Sequence, residues 1–136
     1  MKVTVYTDAS LRGKKATWAV WLRSNKGRIV KSGKCPSWIK DINAAEIFAI
    51  YKGAQIAIKK WDATFLWVRT DSKTAITMLI KKGTIRTRED IQQARGLFQQ
   101  LDIDAHFKHI KAHGNGETIQ SYINNECDRR AGRRHR

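Results

Sequence analysis

The stretch VTVYTDAS, residues 3–10, opens as an apolar run and ends on a carboxylate. Val3, Thr4 and Val5 are β-branched and Tyr6 is aromatic, the side chains that pack well on a pleated, half-buried surface. The pattern predicts a strand over 2–8, with Asp8 where the strand leaves the sheet. The chain carries 27 Lys and Arg against 12 Asp and Glu, a formal net charge of +15. Acids are scarce in such a chain, so one placed at a strand end asks for a reason beyond a solvated turn.

Working outward from this strand, TWAVWLR (17–23) and RIVKSGK (28–34) read as two more. Polar loops with Gly13 and with Asn25 to Gly27 separate the three, as in consecutive hairpins. From Asn43 to about Lys60 apolar residues recur at helical spacing (Ala44, Ile47, Phe48, Tyr51, Ala54, Ile58). ATFLWVRTD, 63–71, is another apolar run that ends on an aspartate. SKTAITMLIKK follows as a short helix stopped near Gly83, and a second helical stretch runs from about Arg88 to Leu101. DAHFKHIKAH, 104–113, alternates like a strand, and a last helix is expected from about Ser121 to Ala131. The order β-β-β-α-β-α-α-β-α implies an α/β fold, a mixed sheet with helices on its faces.

A length of 136 residues suits one compact domain over 1–136, with a basic tail at about 132–136. A hydrophobic content of 41% and five tryptophans argue against disorder. Cys35 and Cys127 lack metal-ligand spacing, which fits free thiols in a reducing compartment. No apolar run reaches the length of a membrane span, and the chain starts in a strand without a signal segment. These features lead us to expect a cytoplasmic protein that does not engage membranes. The excess of cations points to polyanions, above all nucleic acid, through phosphate neutralisation and counterion release.

Four acids now share a pattern. Asp8 and Asp71 each end an apolar strand, Glu46 opens the long helix, and Asp128 lies in the last one. Ligands of open α/β sheets gather at the carboxyl ends of strands. Clustered carboxylates resist ionisation unless a cation neutralises them, and hard oxygen donors suit Mg²⁺ or Mn²⁺. Each acid also has an ordinary reading. Asn43 to Glu46 fits a capping box, Asp71 fits a helix N-cap, Asp128 an exposed helix position and Asp8 a turn.

The segments YTDAS (6–10), NAAE (43–46), RTDSK (69–73), HIKAH (109–113) and NNECDRRA (124–131) follow one another along the whole chain. Together they resemble the ribonuclease H family. The first is similar to its T-D-G-S strand motif, the second to its N-x-x-E segment and the third to its T-D-S motif. The last two are similar to its closing strand, His-bearing loop and final acidic helix. The resemblance implies an RNase H-like five-stranded mixed sheet flanked by helices, three antiparallel strands and then parallel ones. It also implies that Asp8, Glu46, Asp71 and Asp128 hold two Mg²⁺ ions, or Mn²⁺, roughly 4 Å apart across a scissile phosphate. The implied substrate is an RNA–DNA hybrid, cut in its RNA strand to leave 5′-phosphate and 3′-hydroxyl ends. His113 matches a loop histidine that assists proton transfer or product release. Asn43 and Ser10 match residues that contact the nucleic acid. Ala9 departs from the family's glycine, where the backbone approaches a ribose.

Only one helix fits between Lys81 and Asp104, so the basic handle helix of some family members is absent. Arg86, Arg88 and the C-terminal arginines are expected to grip substrate in its place. Trp38, in a basic loop before Asn43, is placed to stack on a base or sugar. Trp18, Trp21 and Trp67 fall in strand patterns and suit packing. Clustered acids also serve DNA-directed nucleases and strand transferases of the same fold, and basic faces serve inactive binding modules. One active site needs no partner chain, so a monomer is expected.

Overall fold

The computed structural model describes residues 1–84 and 86–110. The expectations for His113, Cys127, Asp128, the last helix and the arginine tail lie outside them. Eight elements run in order: β1 (Lys2–Arg12), β2 (Lys15–Ser24), β3 (Gly27–Lys34), α1 (Ile42–Trp61), β4 (Phe65–Thr70), α2 (Lys73–Ile80), α3 (Glu89–Gln100) and β5 (Asp104–His109). They form a five-stranded sheet in the order β3-β2-β1-β4-β5. The first three strands pair antiparallel, and β4 joins β1 and β5 in parallel. The mixed α/β sheet expected from the sequence is the one observed, with a single helix between α2 and β5. No helix among the described residues is long and apolar enough to cross a membrane.

Alternation along the strands sorts the side chains onto two faces. Val3 and Val5, Val20 and Leu22, and Leu66 and Val68 join one large core with Ile47 and Ala54 of α1 and Phe98 of α3. Tyr6, Ala19 and Ile110 form a smaller cluster on the other face, with Trp21 packed against it. Helix α1 presses close on β1 at Gly53, where an added Cβ would lie 2.6 Å from Val5 Cγ1. Only a glycine allows helix and strand that near.

Two boundaries differ from the sequence reading. β1 does not end at Asp8 but continues to Arg12, paired with β2 as far as Arg12↔Lys15 across a two-residue turn. Gly13 in that turn has φ 62°, the left-handed region that favours glycine. After Asp8 the strand is held by backbone pairing with β2, which leaves little hydrophobic trace. The long helix begins at Ile42, capped by Asp41, whose carboxylate accepts from the Asn43 amide at 2.9 Å. Asn43 is therefore not the cap, and the capping-box reading of Glu46 falls. Trp61 is the last residue of α1, and Asp62 in a left-handed conformation closes it.

Candidate active site

The parallel register decides where the first two acids meet. β1 and β4 pair from Lys2↔Phe65 to Tyr6↔Arg69, and β4 ends one residue later at Thr70. Carrying that register on by two residues brings Asp8 beside Asp71. Asp8 thus stands two residues past the last β1–β4 pair, though not at the end of its strand. Helix α1 delivers the third acid: Ala44 and Ala45 are fully buried small side chains that bring its first turns down onto the sheet. One carboxylate oxygen each from Asp8, Glu46 and Asp71 lies within 4.8 Å of the other two. Asp8 and Glu46 are buried, at 4% and 7% exposure, and Asp71 is half-buried. Three hard oxygen donors so arranged can hold a divalent cation.

Asp71 sits in the corner between β4 and α2, and several bonds hold that corner. Ser72 caps α2 by accepting from the Ala75 amide at 3.1 Å. The Ser72 amide donates to Thr70 Oγ1 at 3.2 Å, and the Ile110 amide donates to the Thr70 carbonyl at 2.9 Å. The His109 ring places Nε2 3.0 Å from the Asp71 carbonyl oxygen. The N-cap role considered for Asp71 thus belongs to its neighbour Ser72. His109, read from the sequence as a strand residue only, ends β5 against the site. Asp8 is oriented by the Ala9 amide, which donates to its Oδ1 at 2.9 Å. Ala9 itself packs in the main core, so its methyl points into the protein.

Cys35 lies near enough to feel this charge. Burial and then the Glu46 carboxylate push its thiol up to about 12. It stays protonated at neutral pH and is a poor nucleophile.

The residues expected to bind substrate are spread around the cluster. Ser10 follows Asp8 on β1, paired with Thr17. Asn43 is half-buried near the start of α1, three positions before Glu46. Trp38 packs edge-on to Phe48 and lines an open cavity of about 460 Å³ with Lys40, Arg88, Glu89, Asp90 and Gln93. Trp38 and Arg88, fifty positions apart in sequence, therefore share one groove, while Arg86 is exposed ahead of α3.

Sequence reasoning missed Asp90, which builds this groove. It is buried and accepts from the Lys40 amide at 3.0 Å, the Ile91 amide at 3.0 Å and Arg88 Nε at 3.1 Å. Burial works against its ionisation, yet those hydrogen bonds and the adjacent Arg88 hold it below the usual carboxylate range. Bonded to Asp90, the exposed Arg88 guanidinium is held above its own usual value. The only signal in the sequence was an acid in the first turn of a helix, where the dipole favours it.

The comparisons agree with this architecture. RNase H1 from the halophilic archaeon Halobacterium salinarum NRC-1 superposes with a TM-score of 0.72 at 20% identity, covering 99% of this chain and 98% of that one. The N-terminal RNase H domain of Rv2228c from Mycobacterium tuberculosis, solved as a fusion with maltose-binding protein, gives 0.74 at 18% identity, covering 98% of each chain. LC11-RNase H1, isolated from compost by a metagenomic approach, gives 0.65 at 18% identity over 94% of this chain and 91% of that one. No curated protein matches the chain by sequence. The RNase H family model matches residues 1–136, the whole chain. With the family's sheet order and an acidic cluster at the expected point of it, the chain belongs to the RNase H family of hydrolases.

Proposed function

We propose that the chain is one catalytic domain over 1–136, an endonuclease that hydrolyses the RNA strand of RNA–DNA hybrids. The RNase H family acts on such hybrids. The observation that carries the reading is the meeting of Asp8, Glu46 and Asp71 within 4.8 Å in a chain of net charge +15. Oxygens around one Mg²⁺ are at most about 4.2 Å apart, twice the usual bond length, so small movements would close the cluster on an ion. These three, with Asp128, would hold two Mg²⁺ ions, with Mn²⁺ as a substitute. Bound there, the metal supplies charge neutralisation at the scissile phosphate and lowers the pKa of a bound water.

The chain's own residues do the rest. Asp8 and Glu46 are buried on rigid elements, so their carboxylates are in place before substrate arrives. Asn43, Ser10, Trp38, Arg86 and Arg88 contact the hybrid, and Trp38 and Arg88 offer a ring face and a cation in one groove. His113 takes part in proton transfer or product release. Water adds to phosphorus, the bond to the 3′ oxygen breaks, and that oxygen takes up a proton. The products are 5′-phosphate and 3′-hydroxyl ends. Every residue invoked comes from one chain, so a monomer suffices, and we place it in the cytoplasm.

A labelled RNA strand, annealed to DNA or left single, and a labelled DNA duplex test this with Mg²⁺ and with chelator. Metal-dependent cutting of the hybrid, with 5′-phosphate ends, is expected. Equal cutting of duplex DNA would make the chain a DNA-directed nuclease. Tight binding without cleavage under any metal would make it a binding module.

A further inference from the structure

The β2–β3 turn sets two arginines against each other. Arg23 pairs directly with Arg28, one register step from the Ser24↔Gly27 pair that closes the hairpin. Residues so opposed share a face with Cβ atoms about 5 Å apart, and like charges there are destabilising. Both side chains are exposed, and the ion pair found among the described residues is elsewhere, Arg88 with Asp90. Nothing nearby in the sequence offsets them: from Ala9 to Lys40 the chain has no acidic residue. Trp21, Arg23, Ser24, Asn25, Gly27 and Arg28 line an open cavity of about 510 Å³. The Trp21 ring is braced edge-on by Tyr6, centroids 5.7 Å apart.

The same sheet face repeats this chemistry on its other strands. Arg69 lies over the Trp67 ring at 5.6 Å, and the exposed His106 ring is 5.0 Å from Trp67. Cations interleaved with aromatic rings on one sheet face suit phosphates and base faces together. A duplex hides its base faces in the stack, so an unpaired strand uses both features. An acidic peptide would answer only the guanidiniums.

The position ties this pocket to the acidic cluster. Arg23 also pairs with Thr4 of β1, four residues before Asp8 on the same strand. At about 3.3 Å per residue that is roughly 13 Å, with Thr4, Tyr6 and Asp8 on one side of β1. We infer that the Trp21–Arg23–Arg28 pocket is a single-stranded nucleic-acid site that holds unpaired nucleotides flanking the hybrid. The flanking role rests on the proposed function, whereas the strand binding does not.

The test uses the full chain in chelator, with labelled oligo-dT and oligo-U titrated at several salt concentrations. The Arg23→Ser, Arg28→Ser double variant is compared with Lys59→Ser, Lys60→Ser, which removes the same charge from exposed positions at the end of α1. The arginine variant should bind either oligonucleotide at least tenfold more weakly. Its log–log salt slope should be shallower by about 1.4, two phosphate contacts at about 0.7 each for a single strand. The lysine variant should change less than twofold. Melting should leave the arginine variant as stable as wild type or more so, since it loses a repulsion. Blunt hybrid should be cut at the wild-type rate, while a hybrid with an unpaired flank loses its lower KM. Equal weakening in both variants would reduce the effect to bulk charge and overturn the site, as would an unchanged arginine variant. Lost oligonucleotide binding in a protein that cuts no hybrid would leave the pocket standing and sink the catalytic reading alone.

Discussion

Replacing Asp71 by Asn tests the cluster through stability as well as activity. At 4.8 Å two unit charges repel by roughly 3.5 kcal/mol at an effective dielectric of about 20. Asp71 takes part in two such pairs, so the Coulomb relief would reach about 7 kcal/mol if all three acids stayed ionised. Proton uptake caps that figure. Holding a carboxyl of ordinary pKa near 4 protonated at neutral pH costs about 4 kcal/mol, which is the most the cluster would ever bear. We therefore expect Asp71→Asn to be at least as stable as wild type in chelator, by up to about 4 kcal/mol, a Tm rise of no more than roughly 15 °C. Mg²⁺ should raise the wild-type Tm by linkage and raise the variant's less. Hybrid cleavage should fall by several orders of magnitude. The helix cap does not confuse the result, because Ser72 supplies it. Melts by circular dichroism in chelator and in Mg²⁺, beside one cleavage assay, check all of this. A variant that melts below wild type in chelator, or cuts hybrid at a normal rate, would refute the reasoning.

Gly53→Ala should destabilise by about 1–2 kcal/mol, because overpacking against Val5 outweighs the roughly 1 kcal/mol gain in helix propensity. Adding Val5→Ala should shrink that penalty in a denaturant double-mutant cycle. Asp90 is depressed in the folded state, so its contribution is present above its unfolded pKa near 4 and is lost as pH falls through its lower folded value. Asp90→Asn should cost about 1–2 kcal/mol at pH 7, with the gap to wild type closing below about pH 4 in urea melts. Cys35, its thiol at about 12, should resist iodoacetamide at pH 8 in the folded protein and react once unfolded, as read by mass spectrometry. His113→Ala should slow hybrid turnover with KM and Tm little changed, and a wild-type rate across the pH range would remove that histidine from the mechanism.

Much of this protein was legible in its sequence because the informative patterns are local and periodic. The β-branched run at 3–5 with Tyr6 announced β1, and the 3.6-residue recurrence from Ala44 announced α1. The scarcity of acids singled out Asp8, Glu46 and Asp71 before any geometry was known. Caps were less legible, since Asp41, Asn43, Asp71 and Ser72 are all capping types, and only the hydrogen bonds select Asp41 and Ser72. The pairing partner of a strand leaves still less trace. The β1–β4 register that brings Asp8 to Asp71 joins segments about sixty residues apart through backbone bonds common to every residue type. The same is true of Asp90 reaching the Lys40 amide, of Trp38 sharing a groove with Arg88, and of Arg23 facing Arg28. Side-chain chemistry is written residue by residue, so the sequence by itself determined which groups are available. Which of them meet was decided by strand register and helix packing, because those depend on how the whole chain closes around one core.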